Sequence, residues 1–129
     1  MEIIDFDGDG DLDAAISRRN TRSAYWYERI NDSLWIQHLM GSGAALEGTL
    51  GTTVLDMDRD GWMDVVYNGI WFRNPGILGE YPDTPWPSYP IKAGGHDATS
   101  ADINGDEWED LLVYDGNKLA WYNPSESFR

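Results

Sequence analysis

One nine-residue pattern, D-x-[DN]-x-D-x-x-x-D, occurs three times: Asp5-Phe-Asp-Gly-Asp-Gly-Asp-Leu-Asp13, Asp56-Met-Asp-Arg-Asp-Gly-Trp-Met-Asp64 and Asp102-Ile-Asn-Gly-Asp-Glu-Trp-Glu-Asp110. The first positions lie 51 and then 46 residues apart, and a period near 50 is that of stacked repeat units. Carboxylates this close repel one another unless a cation lies among them. Three copies of the same crowding therefore argue for bound metal rather than for three solvated turns.

Oxygen donors in this number suit calcium, which takes six to eight oxygens at flexible angles. In a tight loop, positions 1, 3 and 5 turn their side chains inward, position 7 offers its carbonyl, and the carboxylate at position 9 closes the shell. The first set is Asp5, Asp7, Asp9 and Asp13, with the backbone of Asp11. The second is Asp56, Asp58, Asp60 and Asp64, with the carbonyl of Trp62, and the third is Asp102, Asn104, Asp106 and Asp110, with the carbonyl of Trp108. About three Ca2+ ions are expected. Gly10 and Gly61 at position 6 permit the sharp turn, whereas Glu107 at that place in the third loop departs from the pattern. An EF-hand needs a bidentate Glu at position 12 and flanking helices. Position 12 here is Ile16, Tyr67 and Val113, so that fold is disfavoured.

Each loop runs into a short apolar strand, Asp13-Ala-Ala-Ile, Asp64-Val-Val-Tyr or Asp110-Leu-Leu-Val. An aromatic strand follows: Tyr25-Trp26-Tyr27-Glu28, Ile70-Trp71-Phe72-Arg73-Asn74-Pro75 and Ala120-Trp121-Tyr122-Asn123-Pro124. A fourth strand is expected at Leu34–Leu39 and Pro85–Pro90, whose Trp35 and Trp86 are again 51 apart, and residues 75–87 read as an irregular surface excursion. Gly-led segments, Gly48-Thr-Leu-Gly-Thr-Thr-Val-Leu55 and Gly94-Gly-His-Asp97, precede the second and third loops. The fold expected is all-β: antiparallel four-stranded blades of β-propeller type, about three and incomplete, with an Asp-rich loop between the first two strands of each. The repeats are placed at about 1–47, 48–93 and 94–129 of one domain.

The Asp pattern followed by an apolar strand and then an aromatic strand running into Asn-Pro, Trp71-Phe-Arg-Asn-Pro75 and Trp121-Tyr-Asn-Pro124, resembles the FG-GAP/VCBS repeat family. That resemblance covers nearly the whole chain and implies calcium-binding β-propeller blades, as in integrin α-subunit propellers and secreted bacterial and fungal proteins. Its calcium ligands fall on the three sets already named. The departures are Asn104, Glu107 and the small number of repeats.

Composition narrows the function. The chain of 129 residues carries a formal charge of −14 with no Cys and two His, which excludes thiolate chemistry and makes nucleic acid and anionic membrane poor partners. No apolar run reaches the length of a membrane helix, and no membrane insertion is expected. The close acid pairs all belong to repeated loops, Asp32, Glu47, Glu80 and Asp83 stand alone, and His38 aligns with Tyr89 as a packing residue, while His96 reads as the tie of a strand turn. No enzyme activity is expected. Fewer than three complete blades leave open faces and an unpaired edge, so a homo-oligomer or polymer, ring or filament, is expected. The role read from the sequence is a calcium-stabilised structural or adhesive module outside the cell or at its surface. Its alternatives are a lectin-like module with glycan partners, for which seven Trp and seven Tyr argue, and a piece of a larger secreted propeller attached to a polysaccharide-active enzyme.

Overall fold

The computed structural model describes residues 2–16, 23–42, 52–67, 69–91, 97–114 and 118–123. Among them are eleven strands and no helix. The strands are β1 (Glu2–Ile4), β2 (Asp13–Ile16), β3 (Ser23–Asn31), β4 (Leu34–Ser42), β5 (Thr52–Leu55), β6 (Asp64–Tyr67), β7 (Ile70–Phe72), β8 (Ser88–Pro90), β9 (Asp97–Ala101), β10 (Asp110–Tyr114) and β11 (Leu119–Tyr122). They form three antiparallel meanders, β1-β2-β3-β4, β5-β6-β7-β8 and β9-β10-β11, the blade-like units of a propeller-type repeat. His96 and Glu47, with the glycines of both Gly-led segments, lie outside the described residues.

The blades stack face to face because their central strands are apolar on both sides. In β6, Val65 and Val66 point to opposite faces, as the two-residue strand period requires. Val65 joins Phe6, Ala15, Trp26, Met40, Tyr67, Phe72, Leu78 and Trp86 in the core between the first and second blades. Val66 joins Leu55, Met57, Trp71, Ile91, Leu111 and Val113 between the second and third. The first strands lie side by side, β1 beside β5 and β5 beside β9, where the Ser100 hydroxyl donates to the Val54 carbonyl at 3.1 Å.

Register shows which residues are equivalent. Trp26 pairs with Ala15 and His38, and Trp71 with Val66 and Tyr89. The two ring pairs match, Trp26 on His38 at 4.8 Å and Trp71 on Tyr89 at 4.9 Å between centroids. Two expectations need correction. The fourth strand of the second blade spans only Ser88–Pro90, leaving Trp86 in the preceding segment. That segment is also less superficial than its Gly and Pro content suggests, since Leu78 and Trp86 are buried in the first core and Trp86 meets Phe6 edge to face at 5.7 Å.

Candidate functional site

Each Asp-rich segment is a closed loop at the turn between the first two strands of its blade, and its own carboxylates tie it down. Asp5 accepts the N–H groups of Gly8 and Gly10 at 2.8 and 3.0 Å. Asp56 accepts those of Asp60 and Gly61 at 3.1 and 2.8 Å. Asp102 accepts those of Gly105, Asp106 and Glu107 at 2.7, 3.1 and 2.8 Å. Position 5 caps position 7 in all three loops: Asp9 to Asp11, Asp60 to Trp62 and Asp106 to Trp108, at 2.8–3.0 Å.

The backbone repeats as closely. Position 4 has positive φ in every loop (Gly8 78°, Arg59 57°, Gly105 79°), and so does position 6 (Gly10 91°, Gly61 92°, Glu107 72°). Glu107 therefore preserves the turn that glycine was expected to require, holding a conformation that disfavours an L side chain by about 1–2 kcal/mol.

Position 9 is fully buried in each loop. Asp13, Asp64 and Asp110 accept the position-2 N–H of Phe6, Met57 and Ile103 at 3.0, 3.0 and 2.9 Å. Asp13 also accepts the Arg29 N–H at 3.0 Å and Asp64 the Asn74 N–H at 2.7 Å, which anchors the third strand to the loop. Asn74 carries this further, donating its amide to the Phe6 carbonyl of the neighbouring blade at 2.8 Å.

Ligand atoms of Asp5, Asp7 and Asp13 come within 4.8 Å of one another, as do those of Asp56, Asp58 and Asp64, and Asp7, Asp9 and Glu28 form a further such group. Asp60 stands beside the second cluster without joining its close triplet. The third loop, with Asn104 at the central position, gathers no group of three carboxylates among the described residues. Glu28 escaped the sequence reading because it comes from β3, one step beyond the Ala14–Tyr27 pair and so opposite Asp13. His38 holds it through Nε2 at 2.9 Å and reaches Asp83 through Nδ1 at 2.7 Å.

Crowding is written in the acidities. Burial pushes Asp7 up to about 7, with the Asp13 and Asp9 charges adding to it. Asp64 is pushed up to about 8 by burial, and Asp13 and Asp56 are raised for the same first reason. Asp58 goes the other way: burial opposes its charge, but the hydrogen bond from Arg73 and the neighbouring groups outweigh it. Hard carboxylate oxygens, the convergence of three in each of two loops, and a buried Asp58 Oδ1 without a hydrogen-bond partner fit a hard divalent cation.

The position-7 side chains turn outward, leaving only their carbonyls for such an ion. The Trp62 ring lies over the first loop, so close to Gly8 that a Cβ there would meet it at 3.0 Å. The Trp108 ring lies under the Arg59 guanidinium, 4.7 Å from ring centroid to carbon. In both cases position 7 of one loop touches position 4 of the loop before it. Asp11 instead pairs with Arg29 at 3.1 Å.

Residues 5–67 match the family model described as an FG-GAP-like repeat. The chain carries an FG-GAP-like repeat. The matched stretch opens on position 1 of the first loop and ends with the last residue of β6, so it contains two loops and the strand that follows each. No curated protein and no solved structure matches the chain.

Proposed function

We propose that the protein is a calcium-stabilised structural or adhesive module that acts outside the cell and joins to further copies of itself blade to blade. Calcium is the ion that the donor chemistry favours, at the first two loops above all. A cysteine-free repeat gains from each bound ion a cross-link between strands that no disulfide supplies, and outside the cell free calcium is abundant enough to keep such sites filled.

The observation that carries assembly is the equivalence of the two open blade faces to the two sides of the internal interfaces. Phe6, Ala15 and Trp26 of the first blade, and Met57, Val66 and Trp71 of the second, are buried against the next blade. Their counterparts in the third are Ile103, Leu112 and Trp121, and Trp121 is 51% exposed. On the opposite side, Trp86 of the second blade is buried against the first, whereas Trp35, at the corresponding place in the first blade, is 44% exposed. Trp35 lines an apolar hollow with Ile3, Ala14, Ile16 and Tyr27. The third blade of one copy thus presents the surface that the first blade of another is shaped to receive. Such a head-to-tail contact closes into a ring or extends into a filament.

Sedimentation velocity of the wild type, Trp35→Glu and Trp121→Glu tests this. Concentration-dependent association of the wild type, lost in both variants, is expected. A monomer at every concentration, or variants that associate as the wild type does, would overturn the assembly.

Carbohydrate binding is a second reading, favoured by the exposed Trp108 ring beside Glu107 and Glu109. Saturable glycan binding abolished by Trp108→Ala would put it first.

A further inference from the structure

We propose that the residue two places after the tryptophan of each blade's third strand ranks the loops as ion sites, Glu28 making the first loop the tight one and Arg73 acting as a resident counter-cation in the second. This rests on the calcium reading above.

Register makes the comparison exact in position. Glu28, Arg73 and Asn123 each follow the last residue that their strand pairs with the second strand of the blade, and so stand opposite the position-9 aspartates Asp13, Asp64 and Asp110. Three chemically different side chains therefore enter three loops of one backbone geometry. In the first loop, Glu28 adds a carboxylate within reach of Asp7 and Asp9, and His38 fixes its direction. Among the described residues no arginine or lysine forms an ion pair with Asp5, Asp7, Asp9 or Asp13. Arg29 is turned to Asp11 and Asp32 instead.

In the second loop the guanidinium of Arg73 is already seated on the ligands. Its Nε donates to Asp58 at 2.5 Å and its Nη2 reaches Asp60 at 3.5 Å, the two inward carboxylates at positions 3 and 5. An entering ion must displace Arg73 or share those oxygens with it. The third loop loses one carboxylate to Asn104, and Arg59 of the second loop pairs with Asp106 at 3.1 Å. Negative charge available to an ion thus falls from the first loop to the third, although the motif is the same. A cation pinned on two ligand oxygens, or a carboxylate added to the set, is expected to shift affinity by about the 10–100-fold that groups bordering a metal site command.

Calcium titration of the ion-free full-length chain by calorimetry tests the ranking. The wild type is expected to show one tight step and weaker binding at least about tenfold apart. Glu28→Gln, which keeps the His38 contact, should weaken the tight step and leave the weaker binding in place. Arg73→Gln should tighten the weaker binding and leave the first step unchanged, while Arg73→Lys, keeping the charge, should stay near the wild type. Far-ultraviolet circular dichroism confirms that each variant is folded. Sites of equal affinity, unmoved by either Gln variant, would overturn the ranking while calcium binding stood. Absence of any calcium binding by the folded wild type would overturn both.

Discussion

The loop carboxylates hold opposing tendencies, most of them raised by burial and a few lowered by hydrogen bonds, and the balance sets how the ion-free protein responds to pH. Asp7 and Asp64 have folded-state acidities raised to about 7 and about 8 from an ordinary 3.8. The folded chain binds protons that the unfolded chain has released, so the stability they contribute is fully present below about 4 and lost as pH rises through 7 and 8. Asp58, lowered against the opposing effect of burial by the hydrogen bond from Arg73, and Asp106, lowered first by the hydrogen bond from the Trp108 N–H, work in the reverse sense, but they are two groups against the raised set of Asp7, Asp13, Asp56 and Asp64. The ion-free protein should accordingly resist urea better at pH 5 than at pH 8.5, measured in metal-free buffer. With saturating calcium the ion replaces those protons, and its stabilising increment should grow with pH. Ion-free stability that rises steadily from pH 5 to 8.5 would show that the carboxylates are not held in the burial described.

Loops and strands are where packing turns single motifs into a connected set. Gly8 and Gly105 are both at position 4, with φ of 78° and 79°, but a Cβ on Gly8 would meet the Trp62 ring at 3.0 Å, while one on Gly105 would meet nothing within 4 Å. Both alanine substitutions bear the backbone strain, about 1–2 kcal/mol. Gly8→Ala should lower the melting temperature further than Gly105→Ala, the difference measuring the contact between the first two loops. Equal losses would mean that Trp62 does not couple them.

The loops, their following strands and the repeated tryptophans were legible because they are local: period-two apolar runs and an Asp pattern need no knowledge of partners. Glu28 and Arg73 were not, because their role comes from strand register that brings β3 and β7 back over their loops. Nor was position 4, where Arg59 adopts positive φ without a glycine to announce it. The burial of Leu78 and Trp86 was hidden for a related reason. A segment rich in Gly and Pro reads as surface until the neighbouring blade lies over it.

At the scale of the molecule, two apolar cores separate three thin sheets, and the ions would brace the ends of those sheets where the loops meet. Asn74 and Trp62 already reach from the second blade to the first, so a tightened loop stiffens the blade interface as well as its own turn. The chain's formal charge of −14 opposes compaction, and bound divalent ions remove part of it at the places where it is most concentrated.

Thermal unfolding of the full chain by differential scanning calorimetry, in calcium and again in chelator, is the most direct measurement. For one site with free calcium a hundredfold above its dissociation constant, native-state binding contributes about 2.7 kcal/mol, which for a domain of this size is expected to raise the melting temperature by roughly 10 °C. A melting temperature the same in calcium as in chelator would contradict calcium stabilisation of the fold.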